Sequence, residues 1–125
     1  MNLASICATA GAFFGLTAVI LGALGAHGLA ARGLEAAQIS SWQTAVQYQM
    51  YHALALLLVS VWLRVATPSG ISVVVAAWFL GALLFSGSIY LLALGGPRWL
   101  GPVTPIGGVF LIIGWGSLLV AAYRS

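Results

Sequence analysis

Long stretches without a single charge constrain this chain more than any other feature. The charged side chains are Arg32, Glu35, Arg64, Arg98 and Arg124, and they leave four charge-free runs at 1–31, 36–63, 65–97 and 99–123. Crossing about 30 Å of hydrocarbon at about 1.5 Å per residue takes roughly 20 apolar residues in a helix. Each run is long enough for one crossing, so four crossings are the natural count. Composition agrees: 62% of the residues are hydrophobic and 4% are charged, against about 25% charged in a soluble domain.

The same sparse charges exclude whole classes of function. The formal charge of +3 comes from isolated arginines and not from a cluster, so nucleic-acid binding has no electrostatic basis. Arginines spaced this way mark membrane edges. Cys7 is the one cysteine; it has no internal disulfide partner and reads as a small buried hydrophobe. The first run lacks the positive start of a cleaved signal, so it is expected to remain as a helix.

Turn residues divide the runs. Helices are expected at about 6–27, 41–64, 71–94 and 105–123, forming one domain over 1–125. Thr67-Pro68-Ser69-Gly70 makes a tight turn and Gly95-Gly96-Pro97 ends the third helix. Thr104 as N-cap with Pro105 after it starts the fourth. Ser40 and Gln43 have capping-box spacing, which puts the start of the second helix near Ser41. Gly28 to Thr44 then reads as a polar connection, with Arg32 and Glu35 spaced to pair and a short surface helix as one option. Short connections imply an all-α, up-down antiparallel four-helix bundle in the membrane. Ala23-Leu24-Gly25-Ala26 and Ala93-Leu94-Gly95-Gly96 form a short internal echo. Arginines are evenly divided between the two sides, and the terminal amine tips the expectation toward both termini in the cytoplasm.

Within the first helix, Gly11, Gly15, Ala18, Gly22 and Gly25 recur at steps of three and four. Small residues on one face let helix backbones approach where lipid competes for apolar contacts. Gly11, Gly15, Gly22 and Gly25 are therefore the helix-packing candidates, within the bundle or between copies.

Antiparallel crossings also gather the polar residues. His27, the 47–52 segment, Ser86, Ser88, Tyr90 and Thr104 fall in one half of the bilayer, and the other half is nearly all hydrocarbon. Polar groups in lipid must find partners, and ionisable ones there are functional candidates. The candidate ligand-binding set is His27, Tyr48, Gln49, His52, Ser88 and Tyr90. Two imidazoles suit haem or a metal; no third metal-ligating group accompanies them, and no metal site is expected. The competing reading is a structural hydrogen-bond cluster. Catalysis is poorly supplied: Glu35 is the single carboxylate, which leaves no triad and no carboxylate pair. A small four-helix proton-coupled transporter would need a carboxylate in its first helix, which here has none. Gly107-Gly108 reads as packing.

The motifs Gly22–Leu29, Trp42–Ala55, Phe85–Leu92 and Gly101–Gly108 carry a family resemblance. The chain resembles the small bacterial inner-membrane family that includes YgdD and YwdK, with eukaryotic relatives of the transmembrane protein 256 type. The resemblance implies a multi-pass inner-membrane protein and no activity or cofactor. Two readings of function remain. One is a non-enzymatic module that packs against itself, another membrane protein or lipid. The other is a small-ligand site for haem, quinone or a lipid headgroup around His27 and His52.

Overall fold

Small residues decide how the helices meet. The computed structural model describes all residues, 1–125. It contains α1 (Leu3–His27), α2 (Ala36–Trp62), α3 (Ile71–Ala93) and α4 (Val103–Arg124). Single 3-10 turns at Ala30–Arg32 and Arg98–Leu100 precede α2 and α4. Three stretches, Leu3–His27, Ile71–Ala93 and Arg98–Arg124, are long and apolar enough to cross a membrane. α2 is not among them, because its first half is polar.

Glycines sit where neighbouring helices touch. A Cβ on Gly11 would lie 2.8 Å from the Ala53 carbonyl oxygen, one on Gly22 3.3 Å from Val46, and one on Gly25 2.7 Å from the Trp42 ring. Gly15 is looser, with Ala53 at 3.9 Å. Partners fall in α2 as positions rise in α1, so the two helices run antiparallel. The glycine face of α1 is thus turned to α2 inside the molecule. α3 and α4 repeat the scheme: Gly81 meets Leu111, Gly107 the Phe85 backbone, and Gly114 the Trp78 indole. Close approach, and not turn geometry, is what these positions require of glycine.

The helices form a zigzag row and not a closed ring. α1 packs on α2, α2 on α3 and α3 on α4, while α1 and α4 share no packing surface. α1 also touches α3, where the Phe14 and Phe79 rings stack at 5.3 Å. Two grooves result, on opposite faces. A groove of about 210 Å³ lies over α2 between α1 and α3, and one of about 420 Å³ lies over α3 between α2 and α4. The core of Phe14, Leu56, Val59, Val74 and Trp78 lies at the centre of the row. Large apolar side chains also cover the outside, including Leu16, Leu58, Ile112 and Leu119, each more than 60% exposed. Water would not tolerate that surface, and hydrocarbon does.

Helix ends depart from expectation in two places. α2 begins at Ala36, not near Ser41. The capping bond is made by Glu35, whose N–H donates to Gln38 Oε1 at 2.9 Å, so Ser40 and Gln43 lie within the helix. Gly33, at φ +84°, turns the chain between Arg32 and Glu35, so those two do not share a helical surface and the connection holds only one 3-10 turn. α4 begins at Val103 after Pro102, which leaves the Thr104 side chain free to bond elsewhere. The echo at the ends of α1 and α3 is not structural: Gly25 is a buried contact inside a helix, whereas Gly95 has φ +94° in a turn.

Gly107→Ala should destabilise the fold by about 1–3 kcal/mol, because a backbone contact cannot step aside as a flexible side chain would. Gly87→Ala, where an added methyl meets nothing within 4 Å, should shift stability by less than about 0.5 kcal/mol. Thermal unfolding in detergent checks the contrast, and equal behaviour of the two variants would refute the packing assignment.

Candidate functional site

Burial sorts the polar half of the molecule into two populations. Gln49, His52, Ser86 and Ser88 are buried. Ser40, Gln43, Thr44, Gln47, Tyr48 and Tyr51 are exposed on the outside of α2. One helix carries both sets because adjacent residues point about 100° apart.

Inside, Gln49 joins three helices. Its Nε2 donates to the Phe14 carbonyl oxygen at 2.9 Å and to Thr17 Oγ1 at 2.6 Å, both on α1. Its Oε1 accepts from the Tyr90 hydroxyl on α3 at 2.7 Å. Two turns closer to the start of α2, Trp42 Nε1 donates to the Leu21 carbonyl oxygen at 2.8 Å, and its ring lies 4.7 Å from that of Tyr90. Ser86 Oγ donates to the Ala45 carbonyl oxygen at 2.7 Å, tying α3 to α2. Ser88 and Thr104 share a short hydroxyl–hydroxyl bond between α3 and α4.

His52 anchors a second cluster. Its Nε2 lies 3.0 Å from Trp115 Nε1, an obligate donor, so Nε2 holds the lone pair. Nδ1 then carries the proton and donates to the Tyr48 carbonyl oxygen at 2.7 Å, one turn back on the same helix. That tautomer follows from the partners present. Trp78 stands edge-on to His52 at 5.8 Å and packs against Trp115 at 4.7 Å. The Trp78 N–H is a buried donor without an acceptor.

The candidate residues are therefore not one constellation. Gln49 and Tyr90 meet, Ser88 pairs elsewhere, and Tyr48 is exposed beside His52. His27 is exposed at the end of α1. Gly25 packs beside Trp42, so His27 lies about 18 Å from His52 along the helix axes at about 1.5 Å per residue. The two imidazoles cannot ligate one metal or haem in this arrangement, and no group of three or more His, Cys, Asp or Glu side chains converges anywhere. The groove between α2 and α4 reaches Tyr48 and His52, while Tyr90 lines the opposite groove. Three important partners lay outside the expected set: Thr17, Trp78 and Trp115. The available signal was two tryptophans far from helix ends, where interfacial anchoring does not account for them.

A family model described as "Protein of unknown function (DUF423)" matches residues 21–108. The chain belongs to this family. The matched DUF423 segment contains Trp42, Gln49, His52, Ser86, Tyr90 and Thr104, and stops short of Trp115. A UPF0382 membrane protein of Staphylococcus aureus (strain bovine RF122) is 44% identical, covering 91% of this chain and 92% of its own length. The UPF0382 membrane protein YwdK of Bacillus subtilis is 45% identical, over 91% and 93%. A UPF0382 membrane protein of Haemophilus influenzae is 41% identical, over 91% and 90%. Neither the family description nor these names carries an enzymatic activity. No solved structure matches the chain.

Gln49→Leu should lower stability by about 1–3 kcal/mol, since it strands the Tyr90 hydroxyl in an apolar setting and leaves Thr17 only the bond to its own helix. Tyr90→Phe should cost less, and the double variant should cost less than the sum of the two singles. A double-mutant cycle from unfolding in mixed micelles measures this; strict additivity would dissolve the proposed junction.

Proposed function

We propose that this chain is a four-span, non-enzymatic module of the bacterial inner membrane that works by packing against another membrane component. The observation that carries the reading is the state of the inner polar cluster. Gln49, His52, Ser86, Ser88 and Tyr90 all have partners within the chain, so these groups hold helices together. A catalytic or ligating role would first require breaking those bonds.

The geometry of α2 supports the fourth span. It is 27 residues long, about 40 Å at 1.5 Å per residue, and lies antiparallel between the apolar helices α1 and α3. Helices packed side by side over their lengths cross the same slab. In this reading the termini and Ser69 lie on one side and Ala31 and Trp99 on the other, and the terminal amine favours the first side as the cytoplasmic one. The membrane location follows the naming of the relatives as membrane proteins.

The α2–α4 groove favours a second reading, an amphiphile such as a quinone or lipid headgroup entering beside Tyr48 and His52. To reach His52 Nε2 it would have to displace the Trp115 indole.

Protein extracted with its native lipids should show no Soret band and no stoichiometric quinone. A bound chromophore or quinone that disappears in His52→Ala would overturn the packing reading in favour of the ligand site. Membrane-impermeant thiol labelling should reach Ala31→Cys and Ser69→Cys from opposite sides; labelling from the same side would remove α2 as a span.

A further inference from the structure

The outer face of α2 breaks the pattern of the other helices. α1 and α4 turn hydrocarbon outward, with Leu16, Val19, Ile20, Ile112 and Leu119 exposed. α2 turns Ser40, Gln43, Thr44, Gln47 and Tyr51 outward at steps of three and four, a single stripe. The same stripe continues as Leu54, Leu58 and Val61, all exposed. The polar part runs about 16 Å at 1.5 Å per residue, close to the thickness of one hydrocarbon leaflet. Thr44 bonds its own backbone at Ser40. The Gln43 and Gln47 amides and the Tyr51 hydroxyl make no bond within the chain.

Depth makes this costly. The middle of α1 is at Gly15, beside Ala53, and Gly22 lies beside Val46. Gln47 is six residues from Ala53, so it sits about 9 Å from the midplane, inside a half-thickness of about 15 Å. An unbonded amide there has lost its water and finds no hydrogen-bond partner in the lipid. Some component must cover it.

We propose that a second copy of this chain covers it, through an α2–α2 contact about a two-fold axis along the membrane normal. The stripe has no charge, so it offers nothing specific to a phosphate headgroup; the nearby arginines, Arg32 and Arg98, lie in connections. Carboxamides and phenols each donate and accept, so an identical stripe is its own complement, as an isologous interface requires. The change from polar to apolar along the stripe selects the axis. Parallel copies match polar half to polar half and Leu54 and Leu58 to their equivalents. Antiparallel copies would bury the amides against leucine. The α2–α4 groove shares Thr44 and Tyr48 with the edge of the stripe and holds about 420 Å³ for side chains of the second copy. The glycine face of α1 is already occupied by α2, so it is not the contact. The inference rests on α2 spanning the membrane.

The test uses full-length protein in native membranes, in a Cys7→Ala background. Gln47→Cys should form a disulfide-linked dimer on mild oxidation; Leu16→Cys and Ile112→Cys should not. Gln43→Leu with Gln47→Leu, which leaves the inner cluster intact, should weaken dimerisation at least tenfold by fluorescence energy transfer in vesicles while the thermal midpoint holds. Monomers by single-molecule photobleaching, equal crosslinking at all three positions, or crosslinking of Gln47→Cys only to lipid or to a different protein would each overturn the second copy as occupant. The labelling of Ala31→Cys and Ser69→Cys separates the two failures. Opposite-side labelling with a monomer removes the dimer alone, and same-side labelling removes the spanning helix beneath it.

Discussion

The Gln49 side chain is the interaction on which the arrangement of the first three helices depends. One carboxamide bonds two groups on α1 and one on α3 while sitting on α2. No water stands ready in a hydrocarbon slab to replace a lost partner. Sliding α2 by one turn along α1, about 5.4 Å, would part the amide nitrogen from Phe14 and Thr17 and leave its N–H groups without an acceptor. A buried polar group of this kind specifies register more than it adds stability. Glycines make the register attainable: with Gly11 and Gly25 against Ala53 and Trp42, the backbones come close enough for a side chain to reach a carbonyl across the gap.

α4 depends on a different device. It packs broadly only on α3, through Gly107 and Gly114, and its link to α2 is the Trp115–His52 bond. That link draws α4 over the face of α3 and gives the groove between α2 and α4 its inner wall. His52 suits the task because its two nitrogens differ: one donates back to its own helix and the other accepts from a neighbour. Trp78 fills the angle between them. The aromatic cluster is thus a joint between two hairpins, built at the depth where a histidine by itself would suggest a ligand.

Much of this fold is local in origin and so was readable in the chain. Charge-free runs, the glycine spacing of α1 and the Pro-Gly breaks each act within a few residues. The start of α2 was not readable, because two capping-box spacings compete, Glu35 with Gln38 and Ser40 with Gln43. Gly33, by turning the chain at positive φ, brings Glu35 into the capping position. Rotation of a helix about its axis was equally hidden. Tyr48 and Gln49 are neighbours of similar polarity, yet one faces out and the other anchors the core. That choice depends on which helices flank α2. The separation of His27 from His52 depends likewise on the register between α1 and α2, a property of the packed pair.

Because rotation sorts the polar residues, their fates carry different information. An inward group whose partners lie within the chain is explained by the fold of one molecule. In the four-span reading an outward group at the same depth is not, since the lipid beside it supplies no hydrogen bond. Gln49 and Gln47 have the same chemistry and lie two residues apart on one helix; only Gln49 is answered from within. A helix that needed only to span could carry leucine at Gln47, as α2 itself does two and three turns further at Leu54 and Leu58. The polar choice is made only over the first half of the stripe, where it also interrupts the hydropathy that would mark α2 as a span. In the proposed dimer, the same side chains that obscure α2 as a membrane helix locate the face that a second copy covers.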